Sequence, residues 1–270
     1  MRESFVWGSK SKALHDTLFR VPRQNGLRAI QSSGEGGARE LSSWRVRLGP
    51  EESVVFRSQD TEAVVVLQEG AGTLRVDKND WDVKRTSVFE ERATALYLPP
   101  QKSLTIASED SLEGIIVTAP AGTGGAPALI APDQIVVNHR GSDNYAREVH
   151  DIFVRDPFAK RLMVGETFNP PGNWSSYPPH KHDGIDGEPR LEEVYHYRMD
   201  PGHGFGHQTL YTAEGESVTH MVLDGDAVTI PYGYHPVSAA PGYRLYSLWA
   251  LVGEQRELAV FEDPNHSWIR

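Results

Sequence analysis

The chain of 270 residues contains no cysteine. Disulfides and thiolate chemistry are excluded, and any metal must be held by nitrogen and oxygen ligands. It also lacks a run of about 20 apolar residues, the length a helix needs to cross a bilayer. The polar opening MRESFVWGSKSKALHD has no apolar core of the kind a secretory leader carries. The expectation is a soluble cytoplasmic protein with no membrane partner. Basic charge is short as well. The net charge of −10 argues against a general nucleic-acid binder, whose footprint would be positive. It leaves an anionic small molecule open, because a local cluster of Arg and Lys can outweigh distant acids. Helical periodicity is weak throughout, and the stretch at 9–18 reads as at most a short turn. What remains is ordinary globular composition, 39% hydrophobic and 24% charged, in a chain long enough for one large or two medium domains.

Strand-like segments dominate. SVVFRS (53–58), TEAVVVLQEG (61–70), GTLRVD (73–78), ATALYLPP (93–100) and EGIIVTA (113–119) are β-branched or alternating runs separated by Gly, Asp, Asn or Pro turns. The pattern resumes with QIVVNH, YAREVHDIFV, RLMVGETFN, EEVYHYRM, GHQTLYT and YRLYSLWALVG. Many short strands at regular spacing predict an all-β sandwich or barrel. AGTGGAP (121–127) reads as a linker, which sets an N-terminal domain at 1–125 and a C-terminal domain at 126–270. Each half ends with a strand, a Pro turn and more strand: ALYLPPQKSLTI in the first, AVTIPYGYHPVSA in the second. The first such turn has no histidine. If the halves are duplicates, the N-terminal copy lacks metal ligands and serves a structural or dimerising role. The glycine-rich SGEGGAR (33–39) lacks the Lys-Ser/Thr ending of a phosphate loop and reads as surface.

Histidine is unevenly spread. Of 11 in the chain, only His15 lies before residue 139 and eight fall between His180 and His266. His180 and His182 flank Lys181 on an extended segment, so their rings project to one side. They follow Tyr177-Pro178-Pro179, which fixes the entry of the chain. Glu193, Tyr195 and Tyr197 then share one strand face, and His235 sits in the turn Pro231-Tyr232-Gly233-Tyr234-His235. Three imidazoles and one carboxylate suit Mn, Zn, Fe, Co or Ni, and suit Ca or Mg poorly. The alternative is a chance pair of surface histidines, which does not explain a carboxylate facing the same way as two tyrosines.

The order His-x-His, Glu, then Pro-x-Gly-x-His resembles the two motifs of cupins. More narrowly, WSSYPPHKHD (174–183), LEEVYHYR (191–198), GFGHQTLYT (204–212), IPYGYHPV (230–237) and FEDPNHSWI (261–269) are similar to the 5-deoxy-glucuronate isomerases of inositol catabolism. Those are bicupins related to the 5-keto-4-deoxyuronate isomerases of pectin breakdown. The resemblance implies two double-stranded β-helix (jelly-roll) barrels in one chain. It also implies one divalent transition metal on His180, His182, Glu193 and His235. Ten residues separate His182 from Glu193, where most cupins have three or four, so Asp183, Asp186, Glu188 or Glu192 compete as the acidic ligand. The second motif also departs from cupins at large by having one residue, not two, between its Gly and His. Both departures fit the isomerase family.

The implied reaction is conversion of 5-deoxy-D-glucuronate into 5-dehydro-2-deoxy-D-gluconate through an enediolate that a dication stabilises. It needs a base, and Lys181, Glu192, His196, Tyr197 and His207 are candidates; strand alternation favours Tyr197 in the cavity and turns His196, Glu192 and Lys181 away, so the base is unassigned, with Tyr197 and Lys181 as candidates and metal-bound hydroxide as the alternative. It needs a cation for the substrate carboxylate, for which Arg190 comes first and Lys181 second. Gln208, Tyr232 and Tyr234 are candidate hydrogen-bonding residues, and Trp174, Trp249 and Trp268 candidate core or barrel-mouth aromatics. Another uronate isomerase, an Fe(II) dioxygenase and a non-catalytic sugar-binding cupin use the same ligand types. Exposed β-edges predict a homo-oligomer, a dimer or higher.

Overall fold

A computed structural model describes residues 14–269. The architecture is all β, with helix limited to three short 3-10 turns among the described residues. The first of these, His15–Thr17, overlaps the weak helical stretch; residues 9–13 of that stretch lie outside the described residues.

The first half forms one eight-stranded sheet. Gly26–Gln31, Ser42–Leu48, Ser103–Pro120, Thr61–Val76, Ala95–Leu98 and Ala128–Ile130 follow one another across it, and Ser53–Arg57 and Asn79–Arg85 branch from the two long strands. In the second half a seven-stranded sheet runs in the order Leu18–Phe19, Ala227–Ile230, Leu191–Asp200, Arg244–Gly253, Leu162–Asn169, Arg147–Phe153 and Val136–Arg140. A four-stranded sheet, Trp174–Ser175, Val237–Ala239, Phe205–Tyr211 and Ser217–Leu223, packs against it. The short pair His180–Lys181 and Phe261–Glu262 completes the set.

Strand periodicity distributes the apolar side chains into three clusters. On Thr61–Val76, Ala63, Val65 and Leu67 face the core of the first half, while Val64 and Val66 face the second half. On Arg244–Gly253, Leu245, Trp249 and Leu251 face the second core, while Leu248, Ala250 and Val252 turn back toward the first half. Both faces are therefore buried, which is why VVVL and LYSLWALVG read as continuous apolar runs rather than alternating ones. The two halves meet across a wide apolar seam.

Chain exchange and polar clamps reinforce that seam. Ala128–Ile130 lies beyond the glycine-rich 121–127 segment yet pairs with Ala95–Leu98 of the first half. Leu18–Phe19 pairs with Ala227–Ile230 of the second. The Glu62 carboxylate accepts from the backbone N–H of Lys160, Arg161 and Leu162. Reciprocally, the Glu192 carboxylate accepts from the N–H of Arg39, Glu40 and Leu41. The two glutamates occupy matching registers: Ala63 pairs with Leu98 as Glu193 pairs with Ile230. Ala63 thus stands in the first half where Glu193 stands in the second. At the seam's centre the Arg85 guanidinium donates to Glu166 at 2.6 Å, with both side chains fully buried. The Tyr246 hydroxyl donates to the same carboxylate at 2.6 Å.

Candidate metal centre

The cavity floor is the seven-stranded sheet. Tyr195 lies opposite Trp249, which lies opposite Gly165, which lies opposite Asp151. A Cβ on Gly165 would sit 2.1 Å from the Trp249 ring, so glycine there is what lets the indole lie flat on the floor. The cavity above has a volume of about 620 Å³ and is lined by His180, His182, Glu193, Tyr195, Trp249 and Arg147, among others.

His182, Glu193 and His235 converge, each offering a ligand atom, and these atoms all lie within 4.8 Å of one another. All three side chains are buried. His182 Nε2 is 3.1 Å from Glu193 Oε2, and His235 Nε2 is 3.4 Å from the same oxygen. His180 stands beside this trio, edge-on to His235 with ring centroids 4.9 Å apart.

Each imidazole is oriented by a backbone carbonyl. Nδ1 of His182 lies 2.9 Å from the Leu191 carbonyl, that of His235 3.0 Å from Gly233, and that of His180 3.3 Å from Pro178. Nδ1–H donation leaves the Nε2 lone pair of each ring free to ligate. Local sequence builds these contacts. Gly233 adopts φ +84°, and a Cβ there would meet the Tyr211 carbonyl at 2.6 Å, so the Pro231–His235 turn needs glycine.

Electrostatics favour neutral rings at His180 and His235. Burial, and secondarily the neighbouring His182, pushes the His180 pKa down to about 3. Burial also holds His235 well below the ordinary value. Burial depresses His182 too, but the Glu193 hydrogen bond and charge outweigh it and the net shift is upward. Burial raises Glu193 against the pull of His182. His235 Nε2 is fully buried and has no hydrogen-bond partner. An orphaned lone pair aimed at a buried carboxylate is costly unless a cation lies between them. Three imidazoles and one carboxylate fit a divalent transition ion.

The other sequence candidates lie elsewhere. Lys181 points away from both flanking histidines, and its ammonium is bound by Asp183 at 2.7 Å, Asp186 at 2.9 Å and Glu188 at 2.6 Å. Those three acids are therefore loop staples rather than competing ligands. Arg190 is exposed and lines a separate depression with Glu40, Arg161 and Glu192. The expectation that Lys181 or Arg190 faces the substrate is corrected: the ten-residue loop folds outward, closed by Lys181. Tyr197 is buried behind the centre, where its hydroxyl donates to Gln208 Oε1 at 2.5 Å. Gln208 Nε2 in turn donates to the His235 carbonyl at 2.8 Å. Both residues lie beneath the Pro231–His235 turn, and neither lines the cavity. The Tyr232 hydroxyl donates to Glu216, and Tyr234 packs on Tyr211; neither lines the cavity. His196 faces the seam, with burial taking its pKa down to about 3. His207 lies on the exposed face of its strand, and Trp268 is 79% exposed, so it is not a packed aromatic.

The cavity instead presents Tyr195, Arg147, Asp151 and Glu262. The Tyr195 hydroxyl is 3.0 Å from Ser176 Oγ, and burial followed by the Glu193 charge raises its pKa well above 10. The alternation of REVHDIF, with Arg147, Val149 and Asp151 on one face, carried the signal for two of these. FEDPNHSWI carried the family resemblance but did not single out Glu262, because only the pairing with His180–Lys181 brings Glu262 to the cavity.

The KduI/IolB family model matches residues 22–269. The chain belongs to the KduI/IolB family. It is 39% identical over 219 residues to a Geobacillus kaustophilus protein named 5-deoxy-glucuronate isomerase, covering 78% of this chain and 79% of that one. A Bacillus subtilis (strain 168) protein of the same name is 36% identical over 190 residues, covering 68% and 70%. An IolB-like protein from Salmonella typhimurium LT2 superposes with a TM-score of 0.89 at 31% identity, over 94% of this chain and 98% of that one. Bacillus subtilis oxalate decarboxylase OxdC superposes with a TM-score of 0.61 at 12% identity, over 92% and 78%, which places the fold among the cupins. Among the described residues no helix is long and apolar enough to cross a membrane.

Proposed function

We propose that this chain is a metal-dependent aldose–ketose isomerase that converts 5-deoxy-D-glucuronate into 5-dehydro-2-deoxy-D-gluconate in inositol catabolism. One observation supports it above the others: a buried His/Glu cluster borders a cavity that also presents Arg147, Asp151, Tyr195 and Glu262, in a KduI/IolB chain whose relatives carry that isomerase name. His182, Glu193 and His235 would hold the ion, with His180 as the fourth ligand. When bound, a divalent transition ion supplies a Lewis acid for the substrate carbonyl.

The chain's own groups do the rest. The Leu191, Gly233 and Pro178 carbonyls fix the imidazole tautomers, and Gln208 holds the His235 backbone. Tyr195 stays a phenol at neutral pH, its hydroxyl held between Glu193 and Ser176, so it does not act as the carbon base. A general base must take the proton from one carbon and return it to its neighbour. Glu262 pairs in register with His180 and lines the cavity, so we assign it that role. Trp249 and Leu251 shield the floor from water. The cytoplasm and a homo-oligomer belong to the same reading; Phe205, Met221 and Leu223 form an exposed apolar row on two neighbouring strands.

The test is proton NMR of 5-deoxy-D-glucuronate in D2O with metal-loaded protein. Loss of the aldehyde-derived signals, growth of the ketose and deuterium at the reacting carbon are expected. No ketose with metal restored would end this reading.

A further inference from the structure

We infer that Arg147 is the anchor for the substrate carboxylate, seconded by Arg140 at the cavity mouth. For the identity of the substrate this rests on the isomerase reading; the cavity's preference for an anion does not.

Two observations carry it. The first is position. Arg147 opens the Arg147–Phe153 strand, faces the same way as Val149, and lines the cavity that holds His180, His182 and Glu193. Arg140 pairs with it in register and lines the same cavity. The second is the absence of a carboxylate. The half-buried Arg147 guanidinium donates to the Tyr145 carbonyl at 3.1 Å and has no acidic partner within 4 Å among the described residues. Other enclosed arginines are matched: Arg85 by Glu166, Arg198 by Asp224, Arg45 by Glu113, and Arg256 by three backbone carbonyls. Asp151 shares the Arg147 face but lies four residues along the strand, about 13 Å away at strand rise.

A guanidinium desolvated without an anion is costly, and a carboxylate ligand removes that cost through paired N–H donors. The arrangement also sets direction. A sugar acid has two ends that a dication would accept, and the carboxylate is the better ligand. Holding it at Arg147 leaves the carbonyl end for the centre, so neutral sugars lose the anchor and acids cannot bind reversed.

The experiment uses metal-loaded full-length protein. Turnover of 5-deoxy-D-glucuronate is compared with that of 5-deoxy-D-glucose, and binding of D-glucuronate and D-glucose is followed through the fluorescence of the cavity tryptophan, Trp249. Wild type should favour the acid by about 100-fold in both assays. Arg147→Gln should collapse that ratio to within about threefold, with metal content unchanged by elemental analysis. Arg147→Lys should restore part of it. A ratio in Arg147→Gln equal to that of wild type overturns the inference. If wild type turns over neither sugar, the isomerase reading fails. The D-glucuronate preference and its loss in Arg147→Gln then still decide the anchor.

Discussion

Glu166→Ala at the seam should be among the most damaging single substitutions outside the metal centre. Glu166 and Arg85 are both fully buried and joined at 2.6 Å, and Tyr246 donates to the same carboxylate. Removing the acid strands a guanidinium that retains only the Leu67 and Glu91 carbonyls. Breaking a buried pair from one side costs about 3–5 kcal/mol. For a protein of this size that lowers Tm by roughly 6–20 °C. Replacing both partners by apolar residues of similar size is often neutral. Arg85→Met/Glu166→Leu should therefore recover at least half of the loss. Urea denaturation of wild type, Arg85→Met, Glu166→Leu and the double variant closes the cycle. A Glu166→Ala protein within about 1 kcal/mol of wild type would refute a dry, ion-paired seam.

Gln208→Leu removes the donor to the His235 carbonyl and should weaken metal affinity about 10–100-fold, measured with buffered metal titrations, while the fold is kept. Leu248→Ala opens a hole in the shared apolar cluster, where the side chain is fully buried, and should cost about 2–5 kcal/mol in urea denaturation. Lys181→Met leaves three carboxylates facing one another and should raise protease sensitivity between 182 and 190. Glu188 has its pKa lowered to about 2: burial opposes this, but the Lys181 hydrogen bond and others outweigh it. A depressed carboxyl contributes fully above its ordinary value near 4.5 and loses that contribution as pH falls toward 2. The stability gap between wild type and Glu188→Gln should therefore shrink across that window and be flat above it.

The fold class was legible because strand alternation and turn residues are local signals. The convergence of His182, Glu193 and His235 rests on local signals: a His-x-His pair on extended chain, an alternating Glu-Val-Tyr strand and a histidine in a glycine turn. What escaped is long-range. The 121–127 segment has linker composition, but composition does not reveal that Ala128–Ile130 pairs back to the first half or that Leu18–Phe19 pairs into the second. Lys181 and Arg190 looked available because a sequence does not show the three acids that close the loop on Lys181. Tyr197 and Tyr195 share a face, yet only packing shows that the first is roofed by Gln208 and the second opens to the cavity. Arg147 lies more than thirty residues before His180, so only the folded sheet brings it to the cavity.

The most direct measurement is a titration of chelator-stripped protein with Mn, Fe, Co, Ni and Zn in turn, following ketose formation from 5-deoxy-D-glucuronate. For the productive ion, activity should rise linearly and break at about one equivalent per chain, with His235→Ala showing neither binding nor rise. Full turnover by the stripped protein, or an unchanged titration in His235→Ala, would contradict the account.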